Sequence, residues 1–379
     1  MDKSKWEYKK LGEVATFLNG YAFKPSEWSS EGFPIIRIQN LTNTNAEYNY
    51  FNGDNIDKRY IVNNGDLLVS WSATLGAFIW DGDKALLNQH IFKTIFDKTD
   101  IDKHFLRYSI ISSLNLMSTK AHGITMRHIT KKDFDNIKIR VPSLSAQHRI
   151  VSELDQLSAI ISLKQQQMKE YDALAQSLFY EMFGDPTDNA KCWNVVNLKD
   201  VSKEKLTYGS GASATSFDGE VRYIRITDIT NDGSLVESKV SPNKQEEKYL
   251  LHDGDILFAR SGATVGKTYL YSQKDGKAIY AGYLIRLIPN KEIVLPLYVF
   301  YYTKTRYYLN FISKAQRAVA QPNINAKQYG DLKIPLPPLS LQRSFAEKVK
   351  AIEHQKSLLK QSITETQTLL DSRMQEYFG

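Results

Sequence analysis

A single cysteine, Cys192, stands among 379 residues, so no internal disulfide can form and no cysteine-based zinc site can assemble, which fits a reducing cytoplasm. No apolar run approaches the roughly 18 residues a membrane-spanning helix needs. The opening Met-Asp-Lys-Ser-Lys-Trp carries charge where a secretory signal would be apolar. Export and membrane insertion are not expected. Proline and glycine are sparse, 11 and 20 in all, and neither occurs between Ser145 and Met182. A 38-residue stretch without either breaker is a helix candidate, not a linker.

Catalytic signatures are missing too. The chain has no GxGxxG dinucleotide fingerprint and no Asn-Pro-Pro-aromatic loop of the kind amino-methyltransferases use against a flipped base. Its seven histidines show no paired metal-ligand spacing, and no acidic cluster has the look of a metal-dependent nuclease. Gly262-Ala-Thr-Val-Gly266-Lys267-Thr268 imitates a phosphate-binding loop but has three residues between its glycines where that loop needs four. No metal, cofactor or bond-making chemistry is expected in this chain.

What the sequence does hold is enough apolar and aromatic material to fold, 42% and 12% respectively, and a charge of +7 from 49 basic against 42 acidic residues. That excess makes a polyanion a plausible partner without requiring one. More informative, the chain is written twice. Phe33 to Asn43 (FPIIRIQNLTN) is answered by Val221 to Asn231 (VRYIRITDITN), and Asn63 to Phe78 by His252 to Thr268. Ile129 to Ile150 is answered by Ile324 to Phe345, and Met182-Phe183-Gly184 by Tyr377-Phe378-Gly379. Two modules of one fold with different surfaces follow from that order.

After each module comes a long amphipathic stretch. Ile150, Leu154, Leu157, Ile161, Met168, Tyr171, Ala175, Leu178 and Met182 alternate in fours and threes, broken by Lys164. The second copy gives Phe345, Val349, Ile352, Leu359, Ile363, Thr366 and Leu370, broken by Lys356 and Arg373. This is a coiled-coil seam, and 38 residues at about 1.5 Å each make a rod of roughly 57 Å. Two such seams satisfy each other most economically as an antiparallel pair, giving a dumbbell with approximate two-fold symmetry; the alternative is that each helix packs on its own module or on a second chain. The expected class is α+β, with modules at 1–144 and 185–339 and long helices at 145–184 and 340–379.

Loops at matching places in both copies are rich in side chains that donate to phosphates and read base edges. In the first module these are Arg37, Gln39, Asn40, Ser70, Trp71, Ser72, Thr74, Arg127 and His128. In the second they are Arg225, Thr227, Asp228, Arg260, Ser261, Thr264, Gln321 and Asn323. Any one of them is equally suited to capping a turn or pairing with an acid.

The duplicated layout, Asn64-Gly65-Asp66-Leu67-Leu68 with Asp253-Gly254-Asp255-Ile256-Leu257, Gln321-Pro322-Asn323-Ile324, and Val141-Pro142-Ser143-Leu144 with Gln147 against Pro335-Leu336-Pro337-Pro338-Leu339 with Gln342 resemble the specificity subunit of type I restriction-modification systems. The resemblance implies a non-catalytic subunit whose two domains each read half of a bipartite double-stranded DNA site. It implies long helices that fix the gap and dock two methyltransferase subunits, which supply S-adenosylmethionine and modify adenine; two restriction subunits are optional additions. One departure is local: Gly123 to Arg127 stands where the second copy has Ala320 to Ile324. The rival expectations are a coiled-coil scaffold that binds only proteins and a self-sufficient DNA-modifying enzyme.

Overall fold

The structure is a computed structural model that describes residues 3–43, 45–53, 56–120, 129–317 and 322–379. The chain divides into two units, Met1–Gln165 with Gln361–Gly379, and Gln166–Lys360. Both mix sheet and helix.

In unit 1 the strands are β1 (Glu7–Lys10), β2 (Thr16–Asn19), β3 (Phe33–Ile36), β4 (Asn49–Phe51), β5 (Ile61–Val62), β6 (Leu67–Ser70), β7 (Gly76–Ile79), β8 (Ala85–Leu87), β9 (Ile91–Ile95) and β10 (Lys138–Val141). One sheet runs β2-β9-β6-β7, another β4-β3-β8-β5, and β1 pairs with β10. Unit 2 repeats the plan with β11 (Asn194–Asn197), β12 (Thr207–Tyr208), β13 (Ala214–Ser216), β14 (Arg222–Ile224), β15 (Val240–Pro242), β16 (Ile256–Ala259), β17 (Thr268–Leu270), β18 (Ala278–Tyr280), β19 (Leu284–Leu287) and β20 (Lys333–Leu336). Its sheets are β12-β19-β16-β17, β11-β20, β13-β15 and β14-β18. The parallel pairing of β3 with β8 recurs in β14 with β18.

The repeated Gly-Asp string has a structural reason. Gly65 and Gly254 sit at φ +85° and +95°, a left-handed conformation that glycine adopts without steric cost. The aspartate then closes its own turn: Asp66 Oδ2 accepts from Asn63 N at 2.8 Å and Asp255 Oδ2 from His252 N at 2.9 Å. Lys93 reaches Asp66 at 2.7 Å and the Ile61 carbonyl at 2.8 Å, and Arg286 makes the same two contacts with Asp255 and the Leu250 carbonyl. Burial pushes the Asp255 carboxyl up, opposed by the His252 N–H and then by Arg286.

The long helices span Leu144–Phe183 and Leu339–Phe378, each starting and ending one residue before the expected 145–184 and 340–379. Each begins on a buried glutamine. Gln147 accepts from Asp102 N and donates to the Pro142 carbonyl. Gln342 accepts from Leu295 N and donates to the Pro337 and Ile293 carbonyls. Backbone groups with no other partner near a helix start are thereby satisfied.

Within each unit the helix segments run antiparallel. In unit 1, Glu153 meets Arg373 at 2.8 Å and Tyr377 Oη at 2.5 Å, while Lys164 donates to Ser362 Oγ at 2.7 Å and Thr366 Oγ1 at 2.9 Å. In unit 2, Lys356 meets Asp172 at 2.6 Å and the Phe183 ring lies 5.2 Å from Phe345. The residues that interrupt the apolar seam therefore bond across it and fix its register. One detail corrects the seam. Leu178 and Met182 are only half-buried, whereas Phe179 and Phe183 are 0% and 4% exposed. Here the helix packs its ring stripe onto Tyr298 as well as onto Phe345 of the partner's seam, so the buried face rotates by one residue.

Candidate nucleic-acid interface

Six backbone hydrogen bonds gather the loops that follow the strand ends in unit 1. Asn88 N donates to Ile36 O, Tyr21 N to Leu87 O, Gln89 N to Tyr21 O, Gly20 N to Ile91 O, Trp71 N to His90 O and Ile129 N to Trp71 O. Unit 2 repeats all six. Ala281 N donates to Ile224 O, Ser210 N to Tyr280 O, Gly282 N to Ser210 O, Gly209 N to Leu284 O, Arg260 N to Tyr283 O and Ile324 N to Arg260 O. This rail forces a close approach: a Cβ on Gly20 or Gly209 would stand 2.2 to 2.3 Å from carbonyl oxygens of the neighbouring loop.

Side chains at equivalent rail positions differ in chemistry. Trp71 in unit 1 becomes Arg260 in unit 2, His90 becomes Tyr283, and, just before the rail glycines Gly20 and Gly209, Asn19 becomes Tyr208. In unit 1 the Trp71 ring lies 5.5 Å from His90 and stacks on Phe92 at 5.8 Å. In unit 2 the Arg260 guanidinium lies 4.7 Å over Tyr208, its Nε donates to Asn323 Oδ1 at 3.2 Å, and Tyr283 is 62% exposed.

The expected residues divide by what holds them. Asn40 and Asp228 are buried and bond their own turns, accepting from Arg37 N at 3.0 Å and Arg225 N at 2.8 Å. Asn40 also donates to the Ala46 and Glu47 carbonyls. Ser70 and Ser72 are buried, and the Ser70 hydroxyl bonds the Thr74 carbonyl. Thr264 Oγ1 bonds the Ser261 carbonyl, and Ser261 bridges to Asn323 through the backbone. Gln39, Thr74, Thr227 and Asn323 are exposed, and Arg37, Trp71, Arg225 and Arg260 are half-buried. Arg127, His128 and Gln321 lie outside the described residues.

The two arginines after β3 and β14 differ. Arg37 lies 5.4 Å over the half-exposed Trp28 ring. Arg225 is gripped by Asp228 at 3.1 and 2.8 Å, which raises its affinity for its proton.

Residue type does not single out the rail residues Tyr283, Gln89 and His90, or Tyr208, which precedes Gly209 of the rail. The signal available was the alignment of Asn88-Gln89-His90 with Ala281-Gly282-Tyr283, each directly before a strand.

Other candidates carry less. Lys267, of the string that imitates a phosphate loop, donates to the Ile229 carbonyl at 3.1 Å, and Gly266 packs on Ile312. An open cleft of about 1260 Å³ in unit 2 mixes Lys203, Lys205, Lys248, Arg286 and Lys291 with Glu204, Glu247, Asp253, Asp255 and Glu292. Five cations against five acids make no anion funnel. Among the described residues no group of three or more His, Cys, Asp or Glu side chains could hold a metal, and no helix is long and apolar enough to cross a membrane.

Comparison with known proteins gives a consistent result. A family model described as "Type I restriction modification DNA specificity domain" matches residues 3–171 and again 190–367. The EcoBI specificity subunit of Escherichia coli, a type I restriction enzyme subunit, is 23% identical over 92% of this chain and 79% of its own length. The MjaVIII specificity subunit of Methanocaldococcus jannaschii is 25% identical over 92% of this chain and 86% of its own. In fold, the crystal structure of the type I S subunit from M. genitalium superposes over 99% of this chain and 96% of its own, with a TM-score of 0.56 at 14% identity. The chain therefore belongs to the type I restriction-modification DNA specificity family and carries the family's domain twice.

Proposed function

We propose that each unit reads one half of a two-part double-stranded DNA target through its rail loops, and that the chain directs partner subunits to that target without making or breaking bonds itself. The observation that carries this is the rail: one set of backbone bonds, present twice, holds Trp71 and His90 in one unit and Arg260 and Tyr283 in the other. A scaffold that only bound proteins would need no such pairing of fixed backbone with divergent side chains. Arg37, Gln39, Trp71, Thr74 and His90 in unit 1, and Thr227, Tyr208, Arg260, Tyr283 and Asn323 in unit 2, are the proposed contacts. Residues masked by their own turns, Asn40 and Asp228, shape the loops.

The long helices support a docking role. Leu163 and Leu174 on the first are 65% and 51% exposed, and their repeat equivalents Leu358 and Leu369 on the second are 49% and 46% exposed. Large apolar side chains left in water at matching places suit two copies of one protein partner. In this reading the partners are two methyltransferase subunits, which bind S-adenosylmethionine and modify adenine, and the compartment is the cytoplasm.

The test is to co-express the chain with the methyltransferase subunit of its own system and map modified adenines. The expected consensus is two short blocks separated by a fixed unread gap. Modification without sequence preference, or methyl transfer by this chain alone from labelled S-adenosylmethionine, overturns the reading.

A further inference from the structure

We propose that Arg260 is the specificity-determining residue with which unit 2 recognises a guanine in its half of the target. This rests on the reading above, that the rail loops face DNA. Arg260 is fixed from several sides. Its backbone N–H and carbonyl are both spent on the rail, bonded to Tyr283 O and Ile324 N. Its guanidinium carbon lies over the Tyr208 ring at 4.7 Å, and Tyr208 is itself held, its hydroxyl accepting from Ala326 N at 3.0 Å. The Nε–H is consumed by Asn323 Oδ1.

What remains is the outer edge, Nη1 and Nη2, which make no hydrogen bond or ion pair among the described residues. Neighbouring arginines are different. Arg225 is closed by Asp228, Arg286 by Asp255 and the Leu250 carbonyl, and Arg222 by the Val236 carbonyl. A guanidinium immobilised through its inner nitrogen and its face, with two parallel N–H groups left over, matches the paired O6 and N7 acceptors of guanine in the major groove. Immobilisation also lowers the rotamer entropy lost on binding. The equivalent position in unit 1 is Trp71, which has one N–H and no fork, so the inference applies to one half of the target alone.

Phosphate oxygens accept from the same fork, and the test separates the two. Adenine modification is mapped for the complex carrying the natural chain, Arg260→Lys, Arg260→Gln and Asn323→Ala. Arg260→Lys keeps a cation over Tyr208 and loses the fork, so it guards against misfolding, and thermal melts of each purified variant verify the fold. With guanine recognition, one G·C position in one block relaxes by about 10- to 100-fold in both Arg260 variants. Asn323→Ala, which keeps the fork but frees it, relaxes the same position less, and the other block is unaltered. Unchanged base preferences in folded variants, relaxation only at an A·T position, or a uniform loss of modification across all sequences, as a phosphate contact would give, each overturn the proposal. A natural complex that yields no two-block consensus overturns the underlying reading instead.

Discussion

Units 1 and 2 share a backbone and disagree about their side chains, and the disagreements are not spread evenly. Where a residue serves the frame, chemistry is kept: Asp66 and Asp255 close the same turn, Lys93 and Arg286 answer them, and Gln147 and Gln342 anchor the long helices. Where a residue stands on the rail, chemistry changes from ring to cation or from imidazole to phenol. A frame built from main-chain bonds tolerates this, because a backbone N–H bonds the same carbonyl whatever side chain it carries. That separation lets one fold carry two different surfaces. The two units also differ in kind beneath the rail. Unit 1 has one unbroken helix at Lys103–Lys120, while unit 2 breaks the corresponding run after Tyr302 and restarts at Arg306.

The strongest way to break the comparison is to attack the rail in each unit by the same change. Gly20→Ala and Gly209→Ala each put a methyl carbon 2.2 to 2.3 Å from main-chain oxygens, and each should destabilise by about 4 kcal/mol, since the obstruction is backbone that cannot swing aside. Equal losses in urea titrations support a common frame; a tolerated alanine in one unit breaks it. The glutamines sharpen it at a smaller scale. Gln147→Ala leaves the part-buried Asp102 N–H and the buried Pro142 carbonyl unpaired and should cost about 2 kcal/mol, while Gln342→Ala strands one more carbonyl and should cost about 3 kcal/mol. Equal losses would mean that the extra bond to Ile293 contributes nothing.

Self-similarity and period are what made the fold legible. The duplicated strings fixed two modules, the 4,3 spacing fixed the helices, and the paired glutamines and Gly-Asp turns were visible as repeats before their bonds were known. Three kinds of fact were hidden. Lys164, Lys356 and Arg373 read as flaws in a seam because their partners lie on the opposite helix, 198, 184 and 220 residues away along the chain. Phe179 and Phe183 replaced Leu178 and Met182 on the buried face because Tyr298 of the module joins Phe345 of the second seam in receiving the helix end. Among candidate contacts, residue type alone could not tell Asn323, which steadies a guanidinium, from Asn40, which is consumed by its own turn. Nor could it pick out Tyr208 and Tyr283, whose importance is set by backbone bonds between loops far apart in sequence.

The smallest expected effect lies where the helices of the two units diverge. Lys304 falls in the break in unit 2, nine residues past Leu295, and its counterpart nine past Asp102 in unit 1 is Ile111. Its ammonium lies 4.7 Å over Phe300. Burial lowers its pKa to about 8, outweighing the attraction of Asp232 and Asp172. The sign of the linkage follows. Below pH 8 folded and unfolded chains both carry the proton, and the folded state bears the cost of a poorly hydrated charge. Between about pH 8 and 10.5 the folded lysine loses its proton while the unfolded one keeps it, so stability from this group rises with pH. Lys304→Met, the apolar choice unit 1 already makes, should therefore stabilise unit 2 at pH 7 by about 1 kcal/mol, a discount on the full shift because the side chain is only half-buried. That advantage should shrink as thermal melts are repeated toward pH 10. A gain that is constant across this range would mean packing, and not a desolvated charge, distinguishes the two positions.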